Sequence, residues 1–282
     1  ENGIPYPCNR VDDLLSVIIQ LDPTDKGIFL RLLKDYDNKL EGTPLLFIHG
    51  WLGSSIEWSY QIFHFSLKSH IILIDLPGFG KSDKPNTDYS IEFFTKQIVD
   101  FIHHLGYVEV YLIGHSLGGL IAQNIALTNA NLVKKLILIN SATALSPSIN
   151  EKFIIFWINI LFKLFYRNFL KKMIKQIISA PNENREFKKL FKNALKLPKA
   201  LVLSSFKNMT TKFTLQKELS RICQTTLIIY GTDDKIVSKS MVETLNNLIP
   251  LSKLKIIKNG SHRVMYDNYG KVNDAIEEFI NK

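Results

Sequence analysis

Cysteine is scarce in this chain of 282 residues: Cys8 and Cys223 are the only two. They are far apart and have no metal-ligand spacing, so neither a disulfide framework nor a thiolate metal site is implied. That usage fits a reducing compartment, and a cytoplasmic location is the expectation. Long apolar runs are also missing. The most apolar stretch, Phe153 to Leu170, is broken by Lys163 and Arg167 and is short of the about 20 apolar residues of a spanning helix. The opening Glu1-Asn2-Gly3-Ile4-Pro5 lacks the basic end and apolar run of a secretory leader. Internal repeats and low-complexity linkers are absent.

The net charge is +9. Its distribution matters more than its size. Between Glu151 and Glu218 there are 15 Lys/Arg and 4 Asp/Glu, a local balance of +11, which leaves −2 for the rest. The basic character belongs to one segment. No nucleic-acid-binding motif accompanies it, so no nucleic-acid partner is expected.

Apolar residues make up 46% and charged residues 22%, as in an ordinary folded domain, so general disorder is excluded. Two β-type runs open the chain, at Leu15–Leu21 and Ile28–Leu33. Short, wholly apolar runs then recur at Leu45–Ile48, Ile71–Ile74, Val110–Ile113, Leu136–Ile139 and Leu227–Tyr230. Such runs suit strands buried on both faces of a parallel sheet. Helix-length amphipathic segments, such as Ile91–Leu105 and Leu117–Thr128, lie between them. A last strand near Leu254–Ile257 and a last helix near Val272–Ile280 complete the alternation. The pattern predicts an α/β fold with a mostly parallel sheet flanked by helices. It breaks once. From Ser141 to Thr214 no strand-like run occurs, and the composition turns to Lys, Phe, Ile and Leu at helical spacing. This predicts a helical insertion, 141–220, between core segments 1–140 and 221–282.

Gly114-His115-Ser116-Leu117-Gly118 matches G-x-S-x-G, after a strand-like run and before a helix-like one. The chemistry needs a tight turn with the Ser116 hydroxyl at its apex. Gly114 and Gly118 let strand and helix approach, and the helix N-terminus faces the developing negative charge. A serine hydroxyl needs a base. Among seven histidines, His64, His70, His103 and His104 lie in stretches without a motif, and His115 is the variable position of the turn. His262, in Asn259-Gly260-Ser261-His262, follows the last strand. A carboxylate must orient it, and Gly231-Thr232-Asp233-Asp234 follows the preceding strand; either aspartate could serve. The order Ser, Asp, His is that of an α/β-hydrolase triad. The loop His49-Gly50-Trp51-Leu52-Gly53, after the Leu45–Ile48 strand, and the amide of Leu117 are the candidate oxyanion donors.

With these elements in order, the chain resembles the α/β-hydrolase superfamily, in the branch of carboxylesterases, lactonases, cofactor-free haloperoxidases and carbon–carbon bond hydrolases. The resemblance runs from about Leu15 to the C-terminus. It is carried by His49-Gly50-Trp51, Asp75–Ser82, Gly114–Gly119, Gly231–Asp234 and Gly260-Ser261-His262. It implies an eight-stranded sheet with a helical cap after strand six. It selects Asp234, the last residue of the Gly-x-x-Asp pattern, as the acid. It implies Trp51 as the second oxyanion donor and a structural role for Asp75–Ser82. Haloalkane dehalogenases and epoxide hydrolases of this framework carry Asp at the elbow, and Ser116 argues against both. Trp51-Leu52-Gly53-Ser54 departs from the Gly-Gly-Pro-Gly run of proline iminopeptidases. The implied mechanism is acyl transfer through Ser116, with no metal or organic cofactor.

Within the insertion, Ile154, Trp157, Ile158, Leu161, Phe165 and Tyr166 are expected to pack the cap onto the body and line an acyl pocket. A competing reading has Lys171, Lys172 and Lys175 flanking an apolar face that touches anionic lipid. The expected activity is hydrolysis of a small-molecule ester. The same triad also serves carbon–carbon bond hydrolases or lyases, and the scaffold also serves small-molecule receptors, so the motifs alone leave these open.

Overall fold

The computed structural model describes residues 14–19, 28–33, 42–66, 68–142, 157, 160–178, 193–212 and 215–282. The eight strands are β1 (Leu14–Ile19), β2 (Ile28–Leu33), β3 (Leu45–Ile48), β4 (Ile71–Asp75), β5 (Val110–His115), β6 (Val133–Ile139), β7 (Thr226–Gly231) and β8 (Ser252–Ile257). They form one sheet in the order β1-β2-β4-β3-β5-β6-β7-β8. β1 pairs with β2, and β2 with β4, antiparallel; the six strands from β3 onward are parallel to one another.

The continuous apolar runs serve two cores. Side chains alternate across a strand. Leu46, Ile48, Ile72, Ile74, Leu112, Leu136 and Leu138 therefore join one cluster, with helices α2 (Ile91–His104) and α3 (Leu117–Thr128). Leu45, Phe47, Ile71, Leu73, Ile113, Ile137 and Ile139 join the other, with α1 (Ser59–Phe65). Each buried Leu, Ile or Phe contributes roughly 1.5–3 kcal/mol, so both layers are needed to hold the sheet. α2 starts where the Ser90 side chain accepts the Phe93 N–H at 3.1 Å, an N-cap.

The sheet edge begins earlier than the apolar pattern indicates. β8 starts at Ser252, because Lys253 and Lys255 alternate outward along an edge strand, where lysine also discourages pairing with another chain. The antiparallel β1 is described over Leu14–Ile19; Gln20 and Leu21 of the expected run lie outside the described residues.

Between β6 and β7 the described residues include no strand. They form a helical stretch at 160–164, then α4 (Tyr166–Ile178) and α5 (Lys199–Lys207). The chain returns to the sheet at Thr226 and continues with α6 (Lys239–Leu248), the short α7 (Val264–Asp267) and α8 (Tyr269–Ile280). The phase of the insertion corrects the expected packing. Phe162, Leu170 and Ile174 are buried, with Tyr166, Phe169 and Met173 packed beside them. Trp157, Leu161 and Phe165, expected inside, are 47%, 44% and 59% exposed. The inward stripe is 162, 166, 169, 170, 173 and 174, a sequence of steps of three and four with which 157, 161 and 165 are out of phase. Of the expected inward residues only Tyr166 faces that way; Ile154 and Ile158 lie outside the described residues.

Candidate active site

Three parallel strands, β5, β7 and β8, end at the same edge of the sheet, and the loops beyond them carry Ser116, Asp234 and His262. Ser116 stands between β5 and α3 with φ 51° and ψ −115°. A non-glycine residue held at such a backbone angle costs about 1–3 kcal/mol. The surroundings hold it there. The Ser116 N–H donates to the Ile139 carbonyl at 3.1 Å, and the Ser116 carbonyl accepts from Gly119 N–H at 2.9 Å and from Ser141 Oγ at 3.0 Å. Two glycines make the turn possible. A Cβ on Gly114 would run into the Gly118 carbonyl, and one on Gly118 into the Ile48 carbonyl. The side chain of Ser116 is neither buried nor fully exposed.

His262 Nδ1 lies 2.8 Å from Asp234 Oδ2, and both side chains are shielded from solvent. Asp234 is itself fixed, because its Oδ1 accepts the N–H groups of Ile236 at 2.7 Å and Val237 at 2.9 Å. Nδ1 therefore carries the proton and donates it to the carboxylate, leaving the Nε2 lone pair as the basic site. Burial lowers the imidazole pKa below its ordinary value, against the opposing pull of Asp234. The ring is thus neutral at neutral pH. Asp233, the other aspartate of the turn, is exposed, and its Oδ1 accepts from Thr232 Oγ1 at 3.0 Å.

The loop after β3 lies against the elbow. A Cβ on Gly50 would sit 2.7 Å from His115 Nδ1 and 3.4 Å from Ser116 Cβ. Among the described residues, no protein acceptor takes the amide N–H of Trp51 or of Leu117, the first residue of α3. The Trp51 indole Nε1–H donates to Ser205 Oγ of α5 at 2.9 Å, and the ring packs on Phe206 and Phe162, with centroids 5.4 and 6.4 Å away. The loop beside the elbow is thereby tied to the helical insertion.

Sequence reasoning missed a buried charge cluster beneath this edge. Glu57 Oε2 accepts the Gly50 N–H at 2.8 Å. Its Oε1 lies 3.0 Å from His115 Nδ1 and 3.7 Å from Arg263 Nε. His115 Nε2–H donates to the His262 carbonyl at 2.8 Å, and that carbonyl also accepts from Asn140 Nδ2 at 2.9 Å. Burial alone would raise the Glu57 carboxyl pKa. His115 and Arg263 outweigh it and hold the group well below the usual carboxylate range. His115 is therefore more than the variable position of the elbow. The one local signal for the cluster was an acid, Glu57, standing between Ile56 and Trp58.

The remaining histidines are structural. Buried His49 has its pKa lowered by burial; Nδ1–H donates to the Gly50 carbonyl at 2.7 Å and Nε2 accepts the Leu76 N–H at 2.9 Å. His64 pairs with Glu277 and His70 with Tyr107, while His103 and His104 are exposed at the end of α2. The Asp75–Ser82 segment is a scaffold: Asp75 Oδ1 accepts from Ser55 N–H at 2.6 Å and Oδ2 from Lys81 N–H at 2.8 Å.

Comparisons with known proteins agree with this architecture. The family described as alpha/beta hydrolase fold matches residues 43–269. Epoxide hydrolase 3 of Xenopus tropicalis is 27% identical over 285 residues, covering 91% of this chain and 76% of that protein. The pimeloyl-[acyl-carrier protein] methyl ester esterase of Wigglesworthia glossinidia brevipalpis is 32% identical over 251 residues, covering 84% of this chain and 93% of that protein. Among solved structures, an esterase from Exiguobacterium antarcticum superimposes with a TM-score of 0.83 at 21% identity, over 95% of this chain and all of that one. The match over most of the length, with the strand order and the serine turn, means that this chain belongs to the α/β-hydrolase fold family.

Proposed function

We propose that this hydrolase cleaves carboxylic esters of small to medium acyl groups through an acyl-enzyme, with Ser116 as nucleophile, His262 as base and Asp234 as its orienting acid. One observation carries the reading: an imidazole whose Nδ1 is held 2.8 Å from a fixed carboxylate, on the sheet edge that also bears a strained serine turn. The relatives include epoxide hydrolases, an (E)-2-((N-methylformamido)methylene)succinate hydrolase and an ester hydrolase, and the choice lies first between the epoxide and ester chemistries. The elbow residue favours the latter, since the epoxide hydrolases of this framework carry aspartate where this chain has Ser116.

The steps follow from the groups available. Ser116 Oγ attacks the ester carbonyl carbon as His262 Nε2 takes its proton. The N–H groups of Trp51 and Leu117 stabilise the tetrahedral oxyanion; one such donor is worth about 3 kcal/mol of transition-state stabilisation. The imidazolium then protonates the departing alkoxide, and the C–O bond breaks to leave an ester on Ser116. Water, deprotonated by His262, releases the acid and restores the serine. Asp234 keeps the tautomer and stabilises the imidazolium throughout. The insertion, 141–220, acts as a cap whose Phe162 and Phe206 bear on Trp51.

The test is hydrolysis of p-nitrophenyl esters from acetate to palmitate, with Ser116→Ala beside the native protein. Native turnover reduced at least about 10³-fold in the variant is the expected result. The absence of turnover on every ester, with the protein folded, would reject esterase activity and turn attention to carbon–carbon bond substrates.

A further inference from the structure

Four large apolar side chains are partly exposed within nine residues of the insertion. Trp157, Leu161, Leu164 and Phe165 are 47%, 44%, 69% and 59% exposed. Leu161, Leu164 and Phe165, spaced by three and one, share a single helical face. The main chain supports this, since Phe165 N–H donates to the Leu161 carbonyl at 2.8 Å and Phe169 N–H to the Phe165 carbonyl at 3.0 Å. Continued at about 100° per residue, the same face carries Asn168, Lys171, Lys172 and Lys175. Those three lysines are exposed. The opposite face holds buried Phe162, Leu170 and Ile174. The outward stripe is thus apolar in its first half and cationic in its second.

The charge along this stretch of sequence has one sign. Residues 157–178 contain five Lys/Arg and no Asp or Glu. A surface of bulky apolar side chains beside a cationic row matches the boundary of an anionic bilayer, where apolar groups reach the acyl region and lysines meet the headgroups. A second copy of this chain is a poorer occupant. A two-fold contact through this face would either oppose the two lysine rows or bury each against the apolar half of the other copy, and residues 157–178 hold no carboxylate to pair them.

We infer that the outward face of residues 161–175 docks the protein on an anionic lipid surface. This stands independently of which bond the Ser116 centre cleaves. Phe162, on the inner side of the same helical stretch, packs edge-on against Trp51 with centroids 6.4 Å apart. Docking therefore brings the bilayer to the outer side of the layer that covers the candidate site.

The experiment is co-sedimentation with phosphatidylcholine vesicles, with and without phosphatidylserine, at low and high salt. The native protein should pellet with the phosphatidylserine vesicles and be partly released by salt. The triple variant Lys171→Gln, Lys172→Gln, Lys175→Gln should bind on the order of a hundredfold more weakly and lose the salt dependence. The double variant Leu164→Gln, Phe165→Gln should bind more weakly at both salt concentrations. All five positions are exposed, and circular dichroism checks that the fold is kept. No pelleting with phosphatidylserine vesicles, equal pelleting with phosphatidylcholine alone, or unchanged binding by both variants would each overturn the inference. So would a stable dimer in sedimentation velocity that Leu164→Gln, Phe165→Gln dissociates.

Discussion

Glu57 accepts the amide hydrogen of Gly50 at 2.8 Å, one peptide before Trp51. The same carboxylate faces His115, one residue before Ser116, and Arg263, one residue after His262. Three loops distant in sequence therefore meet at one buried acid. Its ionisation is tied to folding, because an unpaired buried charge is expensive.

Removing that charge should be felt throughout the fold. Glu57→Gln keeps the shape and leaves an amide oxygen for Gly50, but removes the buried carboxylate that faces His115 and Arg263. Breaking a buried pair in this way costs about 3–5 kcal/mol. Urea denaturation should show a lower midpoint for Glu57→Gln. An unchanged midpoint would mean that the cluster adds no stability.

Acid should destabilise the protein, in two stages. His262 and His49 both have folded pKa values lowered by burial, below the ordinary value near 6.5. Below about pH 6.5 the unfolded chain takes up protons that the folded chain refuses, so stability falls with pH down to the folded values. Glu57 adds a second loss at lower pH, as the unfolded carboxyl takes a proton near its ordinary value of about 4.3 while the folded one does not. Denaturant midpoints across this range test the sign; stability that is flat from pH 7 to 5 would contradict it. Under the proposed mechanism, kcat/KM should keep its neutral-pH value to below pH 6.5, since His262 protonates late.

The elbow glycine should tolerate no side chain. In Gly118→Ala the new methyl group meets the Ile48 carbonyl, a main-chain atom in the middle of the sheet. A loss of about 2–4 kcal/mol is expected, read as a fall in Tm of roughly 4–16 °C. Gly106→Ala is the control: its Cβ meets open space, although its φ of 77° adds some strain. A smaller effect at Gly118 than at Gly106 would contradict the close approach.

The sheet was legible where burial is complete. The runs Leu45–Ile48, Ile71–Ile74, Leu136–Ile139 and Leu227–Tyr230 within the inner strands are apolar and buried on both faces, so their sequences carry the signal without help from context. β8 was read short, since an edge strand alternating with Lys253 and Lys255 looks like loop. Ser116, Asp234 and His262 stand next to glycines that punctuate the ends of strands, which made them visible in one dimension. Glu57, His115 and Arg263 did not announce themselves, for their partnership joins positions 58 and 148 residues apart. The helical insertion misled in phase: in residues 152–178 every position but Asn159, Asn168 and Gln176 is apolar or basic, so composition could not say which stripe faces inward. The main-chain register decides that, through Phe162, Leu170 and Ile174.

His115 gives the elbow an unusual dependence on its host. One nitrogen of its ring faces Glu57 and the other binds the main chain of His262. The serine turn is thus not a portable cassette. Grafted onto another hydrolase without an acid at the place of Glu57 and a cation at that of Arg263, the same five residues would bring an imidazole into a site with no counter-charge. Conversely, a library that varies position 115 alone would sample mostly damaged proteins, whereas one that varies 57, 115 and 263 together could find new interiors for the same chemistry.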